Sequence, residues 1–135
     1  MPLWRFRDYH PEGGGCPIVE WYRAQDVDVR AAFDATVADL AVTEDWNDPD
    51  LMSFDVFTRK PEHLGLAQVK FYVIQGQRKR HFRAVGLWRQ QEREFIFLGG
   101  FEKSGRTTIP PEAFDGILRL RVELEENKGE IHEHE

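Results

Sequence analysis

An α+β fold, with a small antiparallel sheet carrying a helical hairpin and a C-terminal helix, is predicted by three observations. Three segments between residues 66 and 101 either alternate apolar and polar residues at period two or run almost wholly apolar. Two other stretches, 17–43 and 110–127, place their apolar residues at helical spacing instead. The 135-residue chain, 41% hydrophobic and 13% aromatic, is large and apolar enough to bury one core without staples.

The first strand is expected over residues 3–9, where Trp4 and Phe6 alternate with Arg5 and Arg7. Residues 10–17, with Gly13, Gly14 and Gly15, read as a loop; no Lys-Ser/Thr follows to make it a phosphate loop. Pro17 opens a short helix to about residue 24, and Asp26 or Asp28 caps a longer one to about residue 43. On that second helix Phe33, Val37, Leu40 and Ala41 share a face. Residues 44–64 are a connection that Phe54 and Phe57 anchor to the core.

Three strands follow. Over 66–74, Ala67, Val69, Phe71 and Val73 line one face, and Gln68, Lys70, Tyr72 and Ile74 the other. Over 80–89, Phe82, Ala84, Gly86 and Trp88 oppose His81, Arg83, Val85, Leu87 and Arg89. Residues 94–101 are nearly all apolar and read as the centre of the sheet. After a polar loop at 103–106, Thr108 and Pro110-Pro111-Glu112 start a helix striped by Ala113, Ile117, Leu120 and Leu124. Residues 1–129 are expected as one domain, and 130–135 as a flexible tail.

Composition narrows the function classes. The single cysteine, Cys16, excludes an internal disulfide framework and a four-cysteine zinc site, and its one candidate catalytic partner is His10, across the glycine loop. His132-Glu133-His134-Glu135 has a metal-like look, but in an expected flexible tail it points to no metal. No cofactor is expected. The N-terminus lacks the apolar core of a signal peptide and no apolar run reaches membrane-span length, so a cytoplasmic protein is expected. The net charge of −6 is unevenly spread. Residues 1–58 hold 4 Lys/Arg against 12 Asp/Glu, residues 59–106 hold 11 against 4, and residues 107–135 hold 3 against 8. A +7 segment between acidic flanks is the pattern of a local anion-binding face.

Four motifs stand in order: Val69-Lys70-Phe71; His81-Phe82-Arg83-Ala84-Val85; the apolar run from Phe95 to Phe101 followed by Glu102-Lys103; and Thr108-Ile109-Pro110-Pro111-Glu112. With the element order β-α-α-β-β-β-α, they resemble the phage-derived, HigB-like branch of the RelE/ParE toxin superfamily over about residues 17–126. The resemblance implies a RelE-like fold and a toxin that cleaves mRNA on the ribosome without metal, restrained by a helix-turn-helix antitoxin. It implies catalytic roles for Arg83 as phosphate clamp, Lys70 as second cation or proton carrier, and Lys103 from the post-strand basic pair. His81, on the same strand face as Arg83, has the chemistry of an acid–base group. Arg78, Lys79, Arg80 and Arg106 would grip RNA backbone, and Tyr72 would stack on a base. Glu102 stands where the resembling toxins carry the other cation of that pair. Two alternatives share the fold: a gyrase-inhibiting ParE-like toxin, and a non-catalytic interaction module of a phage or mobile element.

Overall fold

A computed structural model describes residues 2–58, 60–103 and 111–134. The strand alternation becomes β1 (Arg5–His10), β2 (Phe54–Val56), β3 (Leu66–Gln75), β4 (Arg78–Arg89), β5 (Glu94–Glu102) and β6 (Glu130–Glu133). The helices are α1 (Pro17–Arg23), α2 (Val27–Ala41) and α3 (Pro111–Glu125). Asp26 caps α2, its carboxylate accepting the Val29 N–H at 3.1 Å.

The six strands form one sheet in the order β2-β3-β4-β5-β1-β6. Its heart is the expected antiparallel meander, with Lys70 opposite Arg83 and Arg83 opposite Phe101. The sheet as a whole differs from expectation in three ways. First, it is mixed, because β1 runs parallel to β5. Between its terminal glutamates β5 is apolar and buried along most of its length, so the backbone polar groups on both its edges need strand partners, and β1 supplies the second edge. Second, the 44–64 connection contains β2. Phe54 fixes it by wedging between Trp46 and Trp88, with ring centroids 4.9 and 4.8 Å away. Third, the expected flexible tail contains β6, antiparallel to β1. Gly129 turns at φ +68, where a Cβ would sit 2.4 Å from the His10 carbonyl oxygen, and Ile131 then packs beside Tyr9.

The sheet separates two apolar layers. Under α1 and α2 lie Phe6, Phe71, Phe82, Phe95 and Phe97, with Phe33 of α2 packed into them and Trp4 and Trp46 stacked at 4.3 Å. Trp21 of α1 lies flat on Gly100; a Cβ there would fall 2.3 Å from the indole, so the two elements approach only over glycine. On the other face Ile117 and Leu124 of α3 cover Leu66, Val85, Ile96 and Leu98. α3 covers that face over Gly99 and Leu98 of β5, Val85 of β4 and Leu66 at the start of β3. Among the described residues the remainder, from Lys70 and Arg83 outward, carries no helix. No described helix is long and apolar enough to cross a membrane.

Candidate nucleic-acid interface

Pleating decides which side chains share this uncovered surface. On β3 it shows Lys70, Tyr72 and Ile74, on β4 Lys79, His81 and Arg83, and on β5 Phe101, with Lys103 just beyond the strand end. Lys70 and Arg83 are direct cross-strand partners, as are Tyr72 and His81. The Lys103 N–H donates to the His81 carbonyl at 2.8 Å and carries the same row onto the third strand. Opposed residues hold their Cβ atoms about 4.5–5.5 Å apart. Two rows of three thus form a grid: Lys70–Arg83–Phe101 and Tyr72–His81–Lys103.

A depression of about 410 Å³ opens over the β3 side of this grid, lined by Lys70, Tyr72, Lys79, His81 and Arg83 together with Thr36, Met52 and Ser53. It reaches around the outer edge of β3. The last link from the β2 side is the Lys70 N–H donating to the Ser53 carbonyl at 2.8 Å, and past it β3 has no outer neighbour. Half-exposed Tyr72 is held by the Lys79 ammonium, 4.0 Å from its ring centroid, and by the His81 ring at 6.0 Å.

The electrostatics are one-sided. Among the described residues Lys70, Lys79, Arg83 and Lys103 have no carboxylate within 4.0 Å. Arg83 is the least comfortable. Its Nη1 donates to the Phe82 carbonyl at 3.0 Å, while its Nε is buried without a partner. Burial lowers its pKa, with distant Asp55 opposing weakly. The pKa of His81 is also lowered, by burial first and then by the charges of Lys79, Arg83 and Lys103. At neutral pH its imidazole is therefore held in the neutral, proton-accepting form.

Six of the nine residues anticipated from sequence come together here: Lys70, Tyr72, Lys79, His81 and Arg83 line one depression, and Lys103 is bonded to its rim. Arg80 is separated from them. It lies on the helical-hairpin face, where Glu102 grips it at 3.0 and 2.7 Å and Asp26 adds a contact at 3.5 Å. Period-two pleating turns Arg80 away from its neighbours 79 and 81, so it is committed to an ion pair. Glu102, standing where a cation was expected, points to that same opposite face and subtracts little from the grid. Arg78 is exposed at the β3–β4 turn, outside the depression. Arg106, and the helix start at Thr108 and Pro110, lie outside the described residues. Thr36, Met52 and Ser53 were not anticipated; they reach the site through the packing of α2 and β2 on β3, which local pattern does not encode.

Searches with family models, among characterised proteins and among solved structures found no match to this chain.

Proposed function

We propose that this chain is a RelE/HigB-like toxin that cleaves mRNA on the ribosome in the cytoplasm, without metal, and that a small helix-turn-helix protein restrains it. One observation carries the reading: Lys70 and Arg83 stand opposed on an uncovered sheet face, beside a histidine kept neutral and, among the described residues, with no carboxylate within 4.0 Å. With β2 and β6 set aside as additions, the remaining element order β1-α1-α2-β3-β4-β5-α3 supports the same reading.

The grid suits transesterification of RNA. Neutral His81 takes the proton of a 2′-OH as that oxygen attacks the adjacent phosphorus. Arg83 and Lys70 hold the extra negative charge of the phosphorane. The Lys103 ammonium protonates the departing 5′-oxygen, leaving a 2′,3′-cyclic phosphate. Tyr72, held by Lys79, offers a ring for a neighbouring base to stack on.

The test is induced expression together with mapping of message ends on translating ribosomes. Wild-type protein is expected to arrest growth and to leave cuts ending in cyclic phosphate. The Lys70→Ala/Arg83→Ala double variant is expected to fold and to do neither. Wild-type protein that leaves message intact overturns the nuclease reading, and arrest accompanied by blocked supercoiling would favour gyrase inhibition.

A further inference from the structure

On the opposite face of the sheet, a second depression of about 630 Å³ lies between β1, β6, α1 and α2. Asp8, His10, Arg23, Arg30, His132 and His134 are on its walls, with Ile18, Val19 and Tyr22 of α1. Asp8 follows Phe6 on the core-facing side of β1, so its carboxylate is buried, a costly placement unless hydrogen bonds compensate. His134 supplies one: its Nδ1–H donates to Asp8 Oδ1 at 2.7 Å, with the two side chains 12% and 7% exposed.

The histidine is held firmly. Its backbone N–H donates to the Phe6 carbonyl at 3.0 Å, and its ring packs on Phe97 and Phe33, centroids 5.1 and 5.6 Å away. With Nδ1 committed to Asp8, Nε2 has no partner among the described residues, and the side chain lines the depression. Its acids are already engaged: Asp8 by His134, and Glu133 by Arg5 and Arg7. Its arginines are not. Arg23 and Arg30 have no carboxylate within 4.0 Å among the described residues, and the Arg30 Nε is buried without a partner.

We propose that this depression binds a small phosphate monoester. Arg23 and Arg30 would pair with its phosphoryl oxygens through their planar forks, and His134 Nε2 would share a proton with a further oxygen. The depression is far larger than a phosphate group, and Ile18, Val19 and Tyr22 form a wall against which an apolar or aromatic portion can lie. A buried carboxylate behind the histidine fixes the ring and leaves the other nitrogen for the ligand. The site is separate from the cationic grid, which lies across the sheet.

The probes are inorganic phosphate and adenosine 5′-monophosphate, titrated into the full chain by calorimetry while the His134 ring nitrogens are followed by NMR. Both probes are expected to saturate, the nucleotide more tightly, and to shift the His134 Nε2 signal. Arg30→Gln and, separately, Arg23→Gln are expected to weaken binding at least about tenfold, or ~1.4 kcal/mol. Arg23 lies at the end of α1, so its variant serves should Arg30→Gln fail to fold. Arg83→Met, on the far face, is expected to leave the phosphate-dependent shift of the His134 signal unchanged, whatever heat it removes from phosphate held at the cationic grid, which separates this site from the RNA reading. Failure to saturate by about 10 mM phosphate, ten times a millimolar Kd, overturns the proposal. So does binding that survives both arginine variants and is lost in Arg83→Met.

Discussion

Replacing Arg83 with methionine should separate what this residue does for the fold from what it does for a ligand. In the fold it is a partly buried guanidinium with no carboxylate in reach among the described residues, one bond to a carbonyl of its own strand, and an orphaned Nε. An unsatisfied buried donor costs about 1–3 kcal/mol, and the single bond to Phe82 returns about 1 kcal/mol. Methionine keeps a long apolar stem and carries no donor. Arg83→Met is therefore expected to leave stability unchanged or to raise it by up to about 1 kcal/mol, read from urea unfolding followed by tryptophan fluorescence. For RNA the balance reverses. Loss of one charge-assisted clamp is expected to cost about 2–4 kcal/mol in the transition state, roughly 30- to 1,000-fold in cleavage. Single-strand binding should lose about 0.7 from the slope of log K against log salt, the share of one phosphate contact. A variant destabilised by more than about 2 kcal/mol would make Arg83 a structural residue. Unchanged affinity and salt slope would remove it from the interface.

Two further outcomes follow from the same surfaces. Glu102→Lys restores the cation of the resembling toxins but sets it against Arg80 on the helical-hairpin face; it is expected to cost about 1–2 kcal/mol in unfolding experiments and to leave RNA affinity unimproved. His81 has a pKa below its unfolded value, so the unfolded chain binds the extra proton. Stability should be complete above about pH 6.5 and fall as pH drops through the window just below it, and His81→Gln should flatten that part of a thermal-unfolding pH series.

What could be read from sequence was whatever depends on local period. The faces of β3 and β4 were legible residue by residue, because alternation alone sets Lys70 with Tyr72 and His81 with Arg83. Phe33 and Leu40 on α2, and Ile117 and Leu124 on α3, were legible through helical spacing. What failed depended on contacts between distant segments. Residues 130–133 carry three charged or polar residues around Ile131 and look like a solvated tail; only the unfilled edge of β1 makes a strand of them. Arg80 looked like one of three equivalent cations in the Arg78-Lys79-Arg80 run, until pleating and the bidentate grip of Glu102 set it apart. His134 reads from sequence as part of the same solvated tail. The signal that could have found it was Asp8, an acid on the apolar side of β1 that had to have a buried partner.

The sheet also resolves the tension between an acidic chain and a nucleic-acid surface. Net charge acts at long range and only where salt permits, while contact energy depends on groups within a Debye length, about 8 Å at physiological ionic strength. At contact range the uncovered face offers Lys70, Lys79, His81 and Arg83, with Lys103 bonded to His81 beside them. Of the strand acids, Glu102 is spent on Arg80 and Glu94 on Arg7 and Arg89, while Asp55 of β2 acts on Arg83 only weakly from a distance. The acidic excess of residues 1–58 falls largely on α1, α2 and the connections around them, and α1 and α2 pack on the other side of the sheet. A chain of net −6 can thus present a cationic face at cellular salt. As salt falls and the Debye length grows to about 30 Å, the distant acids begin to repel the same polyanion. Affinity would then rise less steeply on dilution than the number of phosphate contacts alone would give, a curvature that a uniformly basic protein does not show.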